Sequence, residues 1–255
     1  MEMLGRFGRA LGFGGNLLPA RDAYALWAQS YPPRPHNVLM QAEQAIVEPT
    51  IETIVASLER GGVHRTWQAL DLGTGTGRYL PILRQVGTRL TVGLDLSMPM
   101  LAARGDGLLA RQGRDASRVC SDARCLPFRD ESFDLVSSSL MAGDVEHLHA
   151  WLTEAARVLI PGGHLVYSDF HQSWAAERWR RTFRAADGRL IELPYFTHAI
   201  DEHLTRLERA SLRVQTIREP RIEGRRAPVV VVFHAIKSGG RVGSEWGQSR
   251  VRHRC

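Results

Sequence analysis

Residues 69–80, ALDLGTGTGRYL, set three glycines at alternate positions directly behind a short apolar run that ends in an aspartate. The apolar run reads as a strand, and the glycines behind it as a sharp turn into a helix. Gly73, Gly75 and Gly77 permit positive φ there and leave no Cβ in the way of a ligand lying against the backbone. A plain strand-to-helix turn needs one such residue, not three. A loop of this kind at the end of a strand constrains the chain to an α/β sheet with a ligand at its carboxyl edge. A dinucleotide loop has the pattern G-x-G-x-x-G. Here the residue three beyond Gly75 is Arg78, so that pattern fails at its third glycine.

Apolar or β-branched runs recur at residues 67–72, 89–96, 118–122, 133–140 and 163–170, with helically spaced stretches between them. The clearest helix has Leu148, Trp151, Leu152, Ala155 and Leu159 on one face and is closed by the breaker Pro161 and its two glycines. Strand and helix alternating in this way predict a parallel sheet covered on both faces. Residues 212–217 and 229–236 are separated by a segment too short and too broken by Gly and Pro for a crossover helix, so they are expected to pair antiparallel at the sheet's end. The expected fold is α/β: a Rossmann-like seven-stranded, mostly parallel sheet with an antiparallel last strand and helices on both faces. A chain of 255 residues, 44% hydrophobic, suffices for one such core.

The net charge of +6 is carried almost wholly by arginine, since Lys237 is the sole lysine, and the arginines are spread along the chain. No nucleic-acid motif accompanies them, and nucleic acid is not expected as a partner. Residues 239–255 are rich in Gly, Ser and Arg and read as a disordered basic tail. No apolar run is long enough to span a membrane, and the first residues lack the apolar core of a secretory signal, so a cytoplasmic location is expected. Cys120, Cys125 and Cys255 lack metal-ligand spacing and read as unpaired thiols. No His, Asp and Glu stand at ligand spacing, so no metal is expected.

The string D-x-G-x-G-x-G resembles motif I of the class I S-adenosylmethionine-dependent methyltransferases, small-molecule branch. GLDLS at residues 93–97, CSDARCLPFRDESFDLV at 120–136 and ARVLIPGGHLVYSD at 156–169 follow that family in order. The resemblance implies S-adenosylmethionine as cofactor. It places Asp71, Gly73, Thr74, Gly75 and Gly77 around the methionine half, and Asp95, Leu96, Ser97 and Met98 around the ribose and adenine. Asp122 and Ala123 meet the adenine edge, and Ser138 begins the wall beside the methyl group. An ionised acceptor at Asp95 suits a vicinal diol, which offers two donors. The implied division is a helical cap and lid segment at 1–66, a cofactor-binding core at 67–238 with a lid insert at about 172–197, and the tail.

Displacement at a sulfonium methyl needs alignment and exclusion of water, and a base only when the acceptor must lose a proton. His147, near a helix start after the fourth strand, and His171, after the fifth, are candidate catalytic groups. Tyr31 joins them from AYALWAQSY at residues 23–31, which resembles an aromatic segment that closes over cofactor and acceptor in small-molecule methyltransferases. The expected partner is a small-molecule acceptor, and the expected state a monomer or homodimer. A carrier-bound malonyl or other acyl group is the alternative acceptor, because the LPF.D.SFD.V and RVL.PGG runs are shared with biotin-pathway methyltransferases. A cofactor-binding relative without transfer activity is the other alternative.

Overall fold

The computed structural model describes residues 16–60, 67–85, 90–103 and 116–239. The expected tail lies outside the described residues except for Gly239, as do residues 1–15 of the expected cap. In chain order the elements are β1 (Asn16–Leu17), α1 (Ala20–Trp27), α2 (Val38–Arg60), β2 (Gln68–Leu72), α3 (Leu80–Gln85), β3 (Leu90–Asp95), α4 (Met98–Ala102), β4 (Ser117–Cys120) and β5 (Phe133–Ser138). They continue with α5 (Leu148–Val158), β6 (Leu159–Phe170), α6 (Ser173–Glu177), β7 (Arg181–Arg184), β8 (Leu190–Leu193), α7 (Ile200–Arg209), β9 (Leu212–Arg218) and β10 (Val230–Lys237).

Seven strands form one sheet in the order β4-β3-β2-β5-β6-β10-β9. All neighbours are parallel except β10, which runs antiparallel to both β6 and β9. The last strand in the chain thus slots between β6 and β9, as the short connection between the two final runs requires. Alternation along each strand sends Ala69, Leu135, Val166 and Val232 to the face covered by Val47, Ile51 and Ile54 of α2. Leu70, Val136, Tyr167 and Phe233 go to the face covered by α5 and α7. Leu148, Trp151 and Leu152 are fully buried there, each side chain worth about 1.5–3 kcal/mol of burial.

Local signals explain the helix starts. The Asn37 side chain accepts the Met40 N–H at 2.9 Å and caps α2, which then runs through Pro49 without interruption. The helix α5 ends at Val158 and passes directly into β6, which begins ahead of Pro161 and not at Gly163 as its glycines suggest. The insert between β6 and α7 forms a hairpin, β7 with β8, and β1 adds to β8 in parallel to make a separate three-stranded sheet. Among the described residues no helix is long and apolar enough to cross a membrane. Cys120 is free and exposed, but Cys125 is disulfide-bonded, which corrects the expectation of unpaired thiols.

Candidate active site

The strand order reverses between β2 and β5, so the connections after these strands diverge and leave a crevice at the carboxyl edge. A cleft of about 460 Å³ lies there. Gly73 and Gly75 hold φ of +67° and +56° at its floor. A Cβ on Gly73 would stand 2.7 Å from Met141 Cβ, and one on Gly75 would stand 3.1 Å from Met100 Cε. Bare backbone is therefore a steric requirement at Gly73, while at Gly75 it is the positive φ that disfavours a side chain. Gly77 lies outside the cleft. Its missing side chain makes room for the Arg118 guanidinium, which binds the Thr76 and Leu101 carbonyls and ties the loop to α4.

Asp95 ends β3 with one carboxylate oxygen accepting the Gly75 N–H and the other accepting the Ser97 N–H, both at 2.8 Å. Burial pushes its carboxyl up, opposed by those two bonds. Each oxygen keeps a further lone pair for a donor in the cleft. Asp71 also lines the cleft, takes a 2.7 Å bond from the Ser137 hydroxyl and is pushed up to about 6 by burial. Asp122 and Ala123 line the far end, where a fork of bonds from Arg124 holds the Asp122 carboxyl below its ordinary value. Thr74, Leu96 and Ser97 line it as well.

Two residues expected in this half give way to near neighbours. Met98 opens α4 58% exposed, and Met100 from the helix's inner side lines the cleft instead. Ser138 is buried inside the sheet, while its neighbour Ser139 faces the cleft, because adjacent side chains at a strand end point opposite ways.

The opposite wall holds Tyr24, Tyr31, Met141, Asp144, His147 and Phe196. Arg181 of β7 reaches Asp144 at 2.6 Å and the Tyr24 hydroxyl at 2.5 Å, and Tyr24 donates to Asp144 at 3.0 Å. The Arg181 guanidinium also lies 4.7 Å over the Phe170 ring. Burial pushes the Tyr24 and Tyr31 hydroxyls up, so both stay neutral phenols. His147 is the exposed residue at the start of α5. His171 does not reach the cleft. Its ring bonds Glu219 at 3.0 Å and accepts the Ser173 N–H at 3.1 Å, and so fastens the start of α6.

Glu43 of α2 is fully buried and accepts from Arg78, Tyr79, Ser139 and Ser168 at 2.8–2.9 Å. The arginine that breaks the dinucleotide pattern is thus the link between the glycine loop and α2. The sequence carries a signal for Glu43, which falls one turn ahead of Val47 and Ile51 on an otherwise apolar stripe. Arg181 and Asp144 carry none. Sequence spacing also gives no sign that the fold brings Asp169, His198 and His203 together behind the cleft wall.

A methyltransferase-domain family model matches residues 70–167. The malonyl-[acyl-carrier protein] O-methyltransferase of Methylococcus capsulatus is 34% identical over 158 residues, covering 61% of this chain and 54% of the relative. The demethylmenaquinone methyltransferase of Roseiflexus castenholzii is 41% identical over 97 residues, 38% of this chain and 40% of the relative. The chain thus spans about half or less of the length of these curated relatives. An S-adenosylmethionine-dependent methyltransferase from Clostridium acetobutylicum shares the fold at a TM-score of 0.60 and 14% identity, over 77% of this chain and 94% of that one.

Proposed function

We propose, from the premise that residues 70–167 form a methyltransferase domain, that this chain transfers a methyl group from S-adenosylmethionine to a small-molecule acceptor. The observation that carries the reading is the floor of the cleft. Gly73 and Gly75 line it with bare backbone at positive φ, and Asp95, which also lines it, keeps a spare lone pair on each carboxylate oxygen beyond its bonds to the Gly75 and Ser97 N–H groups. Those residues suit the methionine and ribose parts of the cofactor, with Asp122 and Ala123 on its adenine end. When bound, the cofactor supplies a sulfonium methyl group open to direct displacement.

The protein's share of the work is alignment and exclusion of water. Tyr24, Tyr31 and Phe196 give the acceptor wall an aromatic surface, and the buried Arg181–Asp144 pair fixes Tyr24 in place. The hairpin of β7 and β8, with α1 beside it, serves as the cap over this wall. His147 at the rim accepts the proton of an acceptor O–H or N–H. A carboxylate acceptor needs no such step. The similarity to the M. capsulatus enzyme, whose name specifies a carrier-bound malonyl group, favours a carrier-bound acid as the second reading.

The test is release of S-adenosylhomocysteine in the presence of phenol, amine and carrier-bound acid acceptors. Acceptor-dependent release is expected, and with a phenol or amine His147→Ala lowers kcat by roughly 10²-fold. Tight cofactor binding without release for any acceptor class would move the chain to the relatives that bind and do not transfer.

A further inference from the structure

Behind the acceptor wall, the end of β6 and the start of α7 bring one carboxylate and two imidazoles to a common point. Asp169 Oδ2, on β6, lies 2.9 Å from His198 Nδ1, just ahead of α7, and 3.2 Å from His203 Nε2, on α7. The three side chains are 0–4% exposed. None of them lines the cleft.

The proton positions make this cluster unusual. His198 Nε2 faces the Glu146 carbonyl at 3.3 Å, and a carbonyl only accepts, so the ring proton belongs on Nε2. In a neutral ring Nδ1 is then a lone pair aimed at a carboxylate oxygen. His203 Nδ1 stands 3.0 Å from the Tyr167 hydroxyl, while its Nε2 is buried, faces the same oxygen and makes no hydrogen bond. The Tyr167 hydroxyl can donate to His203 Nδ1 or accept from it, and when it accepts, His203 Nε2 is a second lone pair on the same buried carboxylate, an arrangement that repels unless a positive charge sits among the three.

We propose that this charge is a divalent first-row metal ion, zinc by the donor set, held by Asp169, His198 and His203. The three donor atoms lie within 4.8 Å of one another. Bonds of about 2.0–2.2 Å to one tetrahedral ion place donors roughly 3.3–3.6 Å apart, so the 3.2 Å separation fits nearly as it stands and the 2.9 Å one must open by about half an ångström. Both histidines also have the outer partner that metal-bound imidazoles use, a backbone carbonyl for His198 and a tyrosine hydroxyl for His203. Three protein donors leave one position for a water. The ion's work is structural: it fastens the end of β6 to α7 and, through the Glu146 carbonyl, steadies the segment that carries His147. The proposal is independent of the methyl-transfer reading.

The full chain, stripped with a chelator, is titrated with Co²⁺ and followed by visible absorption, then with Zn²⁺ and followed by thermal unfolding. The expected result is one equivalent of Co²⁺ with tetrahedral d–d bands, a rise in unfolding temperature with Zn²⁺, and loss of both in His203→Gln. X-ray absorption at the zinc edge of the wild-type chain should count two imidazoles, a reading that does not depend on the variant folding. Absence of the bands in the wild-type chain, their persistence in folded His203→Gln, or an edge spectrum without two imidazoles would overturn the proposal and leave a proton on His198 as the charge.

Discussion

On the side of the cleft where the sheet ends, the wall is largely backbone: the glycine loop after β2 and the turn after β3, joined by the Asp95 bonds to Gly75 and Ser97. Across from it the wall is made of side chains drawn from distant segments. Tyr24 and Asp144 are 120 positions apart, and Tyr24 and Arg181 are 157 apart. The first wall suits a ligand with constant shape, because peptide groups cannot be substituted away. The second can change its chemistry residue by residue while the sheet stays the same, which is how one fold serves many acceptors.

If the two walls are separable, damage to one should leave the other's ligand bound. Arg181→Ala strands the Asp144 carboxylate in a site where the two side chains are only 10% and 15% exposed. It should cost about 3–5 kcal/mol of unfolding free energy, much of it recovered when Asp144→Leu is combined with Arg181→Met. Calorimetry measures the loss and titration the cofactor affinity, which should stay within a few-fold in folded Arg181→Met/Asp144→Leu. An affinity that collapses in that repaired double variant would show the walls to be one unit.

A smaller effect sharpens the comparison from the other side. The Asp71 carboxyl sits at about 6 in the folded chain because burial outweighs its Ser137 bond. Its folded value is raised, so the folded state binds the proton more tightly than the unfolded one. The stabilisation this gives is complete below the ordinary carboxylate value near 4 and is lost as pH rises through about 6. At neutral pH Asp71→Asn should therefore stabilise the chain by about 2–3 kcal/mol while weakening cofactor binding, with both measured on the same preparation. A variant that is destabilised at pH 7 and no more stable at pH 4.5 would contradict the assignment of burial as the cause.

The same contrast explains what could be read in advance. The sheet and the α5 stripe follow from the alternation of runs and the 3.6 period, the antiparallel last strand from the short, Gly- and Pro-broken connection before it, and the glycine loop from spacing within eight residues. Met98 and Ser138 give way to Met100, two positions on, and Ser139, the next residue, because spacing names a loop but not which neighbour points inward. Gly77 was placed in the cleft because the sequence cannot show that Arg118 occupies the space beside it. His171 follows β6 directly, yet its ring turns to Glu219 and the α6 start. Glu43 was legible as a charge in an apolar stripe. Arg181, Asp144 and the Asp169–His198–His203 group were not, since nothing local marks partners that meet only after three layers have packed.

The most direct measurement of the central claim is isothermal titration of the full chain with S-adenosylmethionine and S-adenosylhomocysteine, with Asp95→Ala as the control. Asp95 joins the glycine loop to the end of β3 and offers the acceptors for a ribose diol. Micromolar binding of both ligands that falls by at least ~10²-fold in folded Asp95→Ala is the predicted result, a loss of about 3 kcal/mol for charge-assisted bonds. No binding by the folded wild-type chain, or equal binding by the variant, would contradict the account.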